Sequence, residues 1–274
     1  MTTALVLGGG GVAGIAWEAG IIVGLRDRGL DLGTADKIIG TSAGSVTGTL
    51  IATGADLDKA VAHQVAVDRD PAPAFDAEAL TQVFAILADP ALERQEARRR
   101  VGRMALEARI DHAERRLLTI GERLPIKEWP DRELLITAVD AMTGEFVVWD
   151  RAAGVPLVLA VASSCAVPMV FPPVEIGGRR YVDGGVRSGT NADLAAGADT
   201  VVVLEPMGEV TPRAILEAEL LKARAARTHV IHPDQASVAA FGGNVLDPAL
   251  WGPAFQAGVA QAAALAGPLS QVWS

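Results

Sequence analysis

The feature that most restricts the fold is a pattern used twice near the start of the chain: a short apolar run, a glycine-framed turn, then a helical repeat. Thr3 to Leu7 is a β-rich run ending in Gly8, and from Gly14 to Arg28 the residues Trp17, Ile21, Ile22 and Leu25 recur at helical spacing. Lys37 to Ile39 is a second short apolar run, and Ala43 to Thr53 reads as the helix that follows it. Further strands are expected at Leu134 to Val139, Glu145 to Trp149, Val174 to Ile176 with Arg180 to Val182, and Thr200 to Leu204. Strands that are apolar at successive positions and separated by helices indicate an α/β fold, with a mostly parallel central sheet covered on both faces.

One segment leaves that rhythm. From Ala77 to about Leu124 the chain reads as helices alone, broken near Asp89-Pro90, and forms a helical insert of about 77–124. Between Ala91 and Glu128 ten Arg/Lys stand against seven Asp/Glu, a local +3, with Arg98, Arg99 and Arg100 adjacent. Such a run is either a solvated helix face with internal ion pairs, or a cap whose cations meet an anionic head group or a carboxylate product.

Composition narrows the class. The 274 residues carry a net charge of −9 and a single cysteine, Cys165, so no internal disulfide forms and a reducing, cytoplasmic setting is expected. The acidic balance argues against nucleic-acid binding. Half the residues are hydrophobic but only 4% are aromatic, which raises the membrane question. Met1 to Trp17 runs into four glycines, Ala152 to Val174 is broken by prolines, and Pro248 to Ser274 is interrupted by Pro253, Gln256, Gln261 and Pro268, so none reads as a span. What remains is a transient lipid-surface contact, through the insert helices or the uncharged C-terminal helical segment of about 248–274 around Trp251 and Phe255. No break divides the chain, and 1–274 is expected to be one domain.

Three turns carry chemistry. Gly40-Thr41-Ser42-Ala43-Gly44 is a G-x-S-x-G sequence between strand and helix, where small residues permit a sharp turn that presents Ser42 at a helix N-terminus as a nucleophile. Gly8 to Gly14 also opens a helix. Gly9, Gly11 and Gly14 fit a dinucleotide fingerprint, but the next strand ends in Gly40 rather than an acid. The alternative is an oxyanion loop, with backbone N–H groups near Gly10, Gly11 and Ala43. Asp183, followed by Gly184 and Gly185, is the expected base. An ordinary carboxylate pKa of about 3.9 is too low for that task, so the site must desolvate it. His63, His112, His229 and His232 occupy no recognisable catalytic turn, and the sequence holds no metal-ligand cluster.

Together the three turns resemble the patatin-like phospholipases, serine acyl hydrolases with a Ser-Asp dyad. The carriers are Gly9-Gly10-Gly11-Val12-Ala13-Gly14, Gly40-Thr41-Ser42-Ala43-Gly44 and Asp183-Gly184-Gly185 in that order, with Ala162 to Pro168, Phe171-Pro172-Pro173 and Gly197-Ala198-Asp199 around them. The resemblance spans Ala4 to about Glu205. It implies a three-layer patatin-like fold and hydrolysis of lipid carboxylic esters by Ser42 and Asp183, with Gly9, Gly10, Gly11, Gly14 and Ala43 forming the oxyanion region and no cofactor. One departure stands out. The family's loop usually carries Arg or Lys just before its last glycine, and here that residue is Ala13. The rival readings are a non-catalytic lipid or acyl-binding homologue, and a dinucleotide-binding oxidoreductase.

Overall fold

The computed structural model describes residues 1–68, 72–73, 76–108, 110, 113–209 and 211–273. Its strands are β1 (Thr3–Leu7), β2 (Lys37–Gly40), β3 (Glu133–Asp140), β4 (Phe146–Trp149), β5 (Val174–Ile176), β6 (Arg179–Asp183), β7 (Thr200–Leu204) and β8 (Arg227–Ile231). Its helices are α1 (Gly11–Arg26), α2 (Ala43–Ala52), α3 (Leu57–Val67), α4 (Ala77–Ala88), α5 (Arg94–Glu107), α6 (Ala113–Arg123), α7 (Leu157–Ser164), α8 (Arg213–Ala223), α9 (Gln235–Phe241) and α10 (Trp251–Ser270). The fold is α/β, with one sheet in the hydrogen-bonded order β5-β6-β3-β2-β1-β7-β8 and β4 beside β3. The pairs β1–β2, β1–β7, β2–β3 and β7–β8 are parallel, while β3–β4, β3–β6 and β5–β6 are antiparallel.

Strand alternation divides the core into layers. Leu5 and Leu7 of β1 join the large cluster beneath α1, α2, α7 and α10, whereas Ala4 and Val6 face Ala192, Ala195 and Leu216 on the other side. The helix α1 is buried from Val12 to Leu25 and lies against α10. A Cβ at Gly20 would fall on the Phe255 carbonyl, and one at Gly258 on the Trp17 carbonyl, so the two helices touch through their backbones. The glycine-rich, aromatic-poor composition serves this close approach. Trp251 and Phe255 are 2% and 9% exposed within that packing, which corrects the expectation that they form a lipid-contact surface. Among the described residues no helix is long and apolar enough to cross a membrane.

The register of β3 positions the site. Its residues Ile136 to Val139 pair with β4 along one edge, so β2, paired to Glu133–Ile136, and β6, paired to Ala138–Asp140, share the other. These two strands approach each other head-on. Gly40 at the end of β2 and Asp183 at the end of β6 are partners of Ile136 and Ala138, two residues apart on β3.

Helices fill the 77–124 segment, with a break after Ala88. Asp76 caps α4 by accepting the Glu78 and Ala79 N–H groups, and Glu93 caps α5 by accepting those of Gln95 and Glu96. Val83, Val101 and Ala105 pack on Val139, Val182 and Val186 at the ends of β3 and β6. Of the basic trio, Arg99 and Arg100 pair with Glu96 at 2.6 and 3.0 Å, and Arg98 donates to the Gly144 carbonyl at 2.7 Å. This is the solvated-face arrangement, and the trio is absent from the cavity described below.

Candidate active site

Ser42 sits between β2 and α2 with φ 54° and ψ −116°, a backbone conformation costly for a residue with a side chain. Its neighbours enforce it. A Cβ at Gly40 would meet Ser45 Cα at 2.6 Å, and one at Gly44 would fall on the Leu7 backbone, so β1, β2 and α2 can converge only around glycines. Hydrogen bonds lock the turn, with the Thr41 N–H donating to Leu7 O at 3.0 Å and the Gly44 N–H to Gly8 O at 2.9 Å. The end of α7 braces it from the side. The Ser42 N–H donates to Ser164 Oγ at 2.9 Å, and the Ser42 carbonyl accepts from Ser45 Oγ at 2.6 Å and Cys165 Sγ at 3.2 Å.

Asp183 is held by the same segment, its N–H donating to Ala166 O at 3.0 Å. Its carboxylate is buried. Oδ1 accepts the Gly185 N–H at 2.7 Å, and Oδ2 is inaccessible and without a hydrogen-bond partner. Desolvation raises the Asp183 pKa to about 6, opposed by the Ser42 hydroxyl, the Gly185 N–H and the Arg116 charge. The Ser42 hydroxyl is thus near enough to act on the carboxylate, yet it does not close a hydrogen bond of full geometry. Long or poorly aligned catalytic hydrogen bonds are common without substrate. The condition set by the sequence, a carboxylate made more basic by burial, is met.

The glycine loop divides its donors. Gly8, Gly9, Ala13 and Gly14 spend their N–H groups on Leu204, Gly189, Val245 and Gly10 carbonyls at 2.8–3.0 Å. Gly9 and Gly14 therefore shape the loop rather than offer donors. The N–H groups of Gly10, Gly11 and Ala43 have no acceptor among the described residues, and the last two stand at the N-termini of α1 and α2. Gly184 lets the chain pass tightly over Thr137, where a Cβ would collide.

Beside Ser42 lies a cavity of about 490 Å³. Val12, Ile15, Val167, Val170, Phe171 and Leu246 make much of its wall apolar, and Gly11 and Ala43 reach its lining. Arg115, Arg116 and Arg123 enter from α6. Arg123 is answered by Asp68 at 3.1 Å, which also accepts the Trp251 indole N–H at 3.0 Å. Among the described histidines none lines the cavity; His63 is exposed, and His229 and His232 belong to β8 and its end. His112 lies outside the described residues. No group of described residues could hold a metal ion.

A sequence profile described as patatin-like phospholipase matches residues 5–196, a span that contains the glycine loop, Ser42 and Asp183. The chain belongs to the patatin-like phospholipase family. The dinucleotide reading of the glycine loop falls with that assignment. The chain is also 32% identical over 201 residues to uncharacterized NTE family proteins of Mycobacterium tuberculosis and Mycobacterium bovis, covering 70% of this chain and 47% of each relative. It therefore spans about half the length of the curated relatives it matches. Among solved structures it is similar to VipD from Legionella pneumophila, at 14% identity and a TM-score of 0.49 over 97% of this chain and 66% of that one. The corresponding figures for the type III effector protein ExoU are 16%, 0.39, 98% and 53%.

Within this family member the Ala13 departure has a structural setting. Ala13 is fully buried in the main apolar core, so a long basic side chain finds no open space there. Several site residues escaped the sequence reading. Asn191, completely buried at φ 53°, donates through Nδ2 to Thr41 Oγ1 at 3.0 Å and Ser188 O at 2.9 Å, and Thr41 Oγ1 meets Thr137 Oγ1 at 2.9 Å. This network underpins the Ser42 turn from three distant points of the chain, and only Thr41 lies within a motif. Arg116 was one charge among seventeen in its segment, with nothing local to single it out.

Proposed function

We propose that the chain hydrolyses carboxylic esters of lipids through an acyl-enzyme on Ser42. Ser42 Oγ attacks the ester carbonyl while its proton passes to the Asp183 carboxylate. The carbonyl oxygen, now an oxyanion, accepts hydrogen bonds from the free N–H groups at Gly10, Gly11 and Ala43. Collapse expels the alcohol, which takes the proton from Asp183 and leaves the acyl group on Ser42. Water then attacks that ester, Asp183 accepts its proton, and Ser42 recovers a proton as the carboxylic acid departs.

The observation that carries this reading is a buried carboxylate with a partnerless oxygen and a pKa raised to about 6, beside a serine in a strained strand-to-helix turn. On the same reading residues 1–274 work as one catalytic unit, with the helices of about 77–124 as a cap and the helical segment of about 248–274 as a buttress behind α1. The non-catalytic alternative, for which Ala13 is the motive, expects a cavity that binds lipid without turnover. Turnover of p-nitrophenyl esters of graded acyl length tests the proposal. Hydrolysis should fall at least about a thousandfold in both Ser42→Ala and Asp183→Asn, and full activity in either variant overturns it.

A further inference from the structure

Arg116 is a cation that the dyad chemistry leaves unexplained. Its guanidinium carbon lies 3.7 Å above the Phe171 ring, both residues line the cavity beside Ser42, and its Nε is inaccessible and has no hydrogen-bond partner. No carboxylate stands within ion-pair distance of it among the described residues, although Arg123, two turns on along the same face, has Asp68. Burial and the Arg123 charge lower its pKa to about 10, so it stays charged at neutral pH, and Asp183 and Asp68 offset only part of that cost. A buried, unmatched guanidinium is expensive unless something anionic completes it. The stack on Phe171 fixes its plane, and the apolar wall of the cavity suits an acyl chain.

We propose that Arg116 is a specificity-determining residue, binding an anionic group of an amphiphilic ligand and giving the cavity a preference for esters that carry a negative charge over neutral ones. Phosphate and carboxylate share the chemistry that a guanidinium recognises. This rests on the Ser42 ester-hydrolase reading for turnover, but binding does not require it.

Two measurements test it. The first compares kcat/KM for monodecanoyl glycerophosphate and monodecanoylglycerol, which share the acyl ester and differ in the charge. The wild-type ratio should favour the phosphate by about tenfold or more. It should collapse toward one in Arg116→Gln and be partly kept in Arg116→Lys. A wild-type ratio near one, or a ratio unchanged in Arg116→Gln, overturns the proposal. The second reads thermal stabilisation of the wild type, with no turnover involved, by decyl phosphate, decanoate and decanol. Stabilisation by decyl phosphate beyond decanol supports a phosphate site, stabilisation by decanoate beyond decanol supports a carboxylate site, and three equal shifts overturn the proposal. If Arg116→Gln does not fold, the wild-type ratio and the wild-type shifts still decide. If neither ester is turned over while the anions stabilise, the hydrolase reading fails and the subsite stands.

Discussion

The floor and the roof of the cavity are built by opposite means. The floor, from β1 and β2 through α2 to the end of α7, is positioned by backbone contacts: glycines where strands and helix converge, carbonyls holding the loop, and α2 buried at every residue. The roof comes from α6, and it and the other helices of the insert, α4 and α5, are held by side chains, through caps, ion pairs and a few apolar contacts, with most of their residues reaching solvent. Geometry that must hold to a fraction of an ångström is placed where the chain has no side-chain freedom. On the proposed function, selectivity belongs where residues can change without disturbing that geometry.

Five substitutions or titrations sharpen the contrast, beginning on the floor. Asp183→Asn should abolish turnover by about three orders of magnitude, yet stabilise the protein. The folded pKa of about 6 exceeds the ordinary 3.8, so the group favours folding at low pH and that contribution is lost as pH rises through 6. Melting curves should therefore place the variant above the wild type at pH 8, by up to about 3 kcal/mol, with the gap closing toward pH 4. Gly44→Ala should cost about 3 kcal/mol or more in denaturant unfolding, because its Cβ would fall on the Leu7 backbone. Gly121→Ala on the roof should do the reverse. Its Cβ would meet nothing closer than 3.9 Å, so it should be neutral or stabilising by up to about 1 kcal/mol. If the two alanines cost the same, the contrast between floor and roof is broken.

The pH profile is a smaller effect on the same axis. With Asp183 as the base, kcat/KM for a neutral ester should decline below pH 6 and approach a tenfold loss per unit. A decline centred near 4 would indicate a solvated carboxylate instead. The smallest effect is expected at Arg100→Ala. Loss of its exposed pair with Glu96 should leave both the melting temperature and ester turnover unchanged.

The floor was legible in the sequence because each of its constraints leaves a local trace. Gly40, Gly44 and Gly184 mark close approaches, Ser42 and Asp183 end apolar runs, and a parallel sheet gathers such turns at one edge. What stayed hidden depends on register. That β2 and β6 meet along one edge of β3 follows from pairings no local pattern encodes, and it brings Ser42 to Asp183 across 141 positions. Asn191, Thr137 and Ser164 are ordinary polar residues until the fold buries them together. In the insert the sequence pointed to Arg98, Arg99 and Arg100 because they are adjacent, whereas the cavity receives Arg116, singled out only by its neighbours in space. Trp251 and Phe255 misled for the opposite reason, since an uncharged helix reads alike whether it faces lipid or another helix.

The central claim is that Ser42 is the nucleophile, and labelling with a fluorophosphonate followed by peptide mass spectrometry tests it directly. The account predicts one adduct, on the peptide containing Ser42, which vanishes in a folded Ser42→Ala variant together with ester turnover. An adduct elsewhere, or turnover that survives Ser42→Ala, would contradict it.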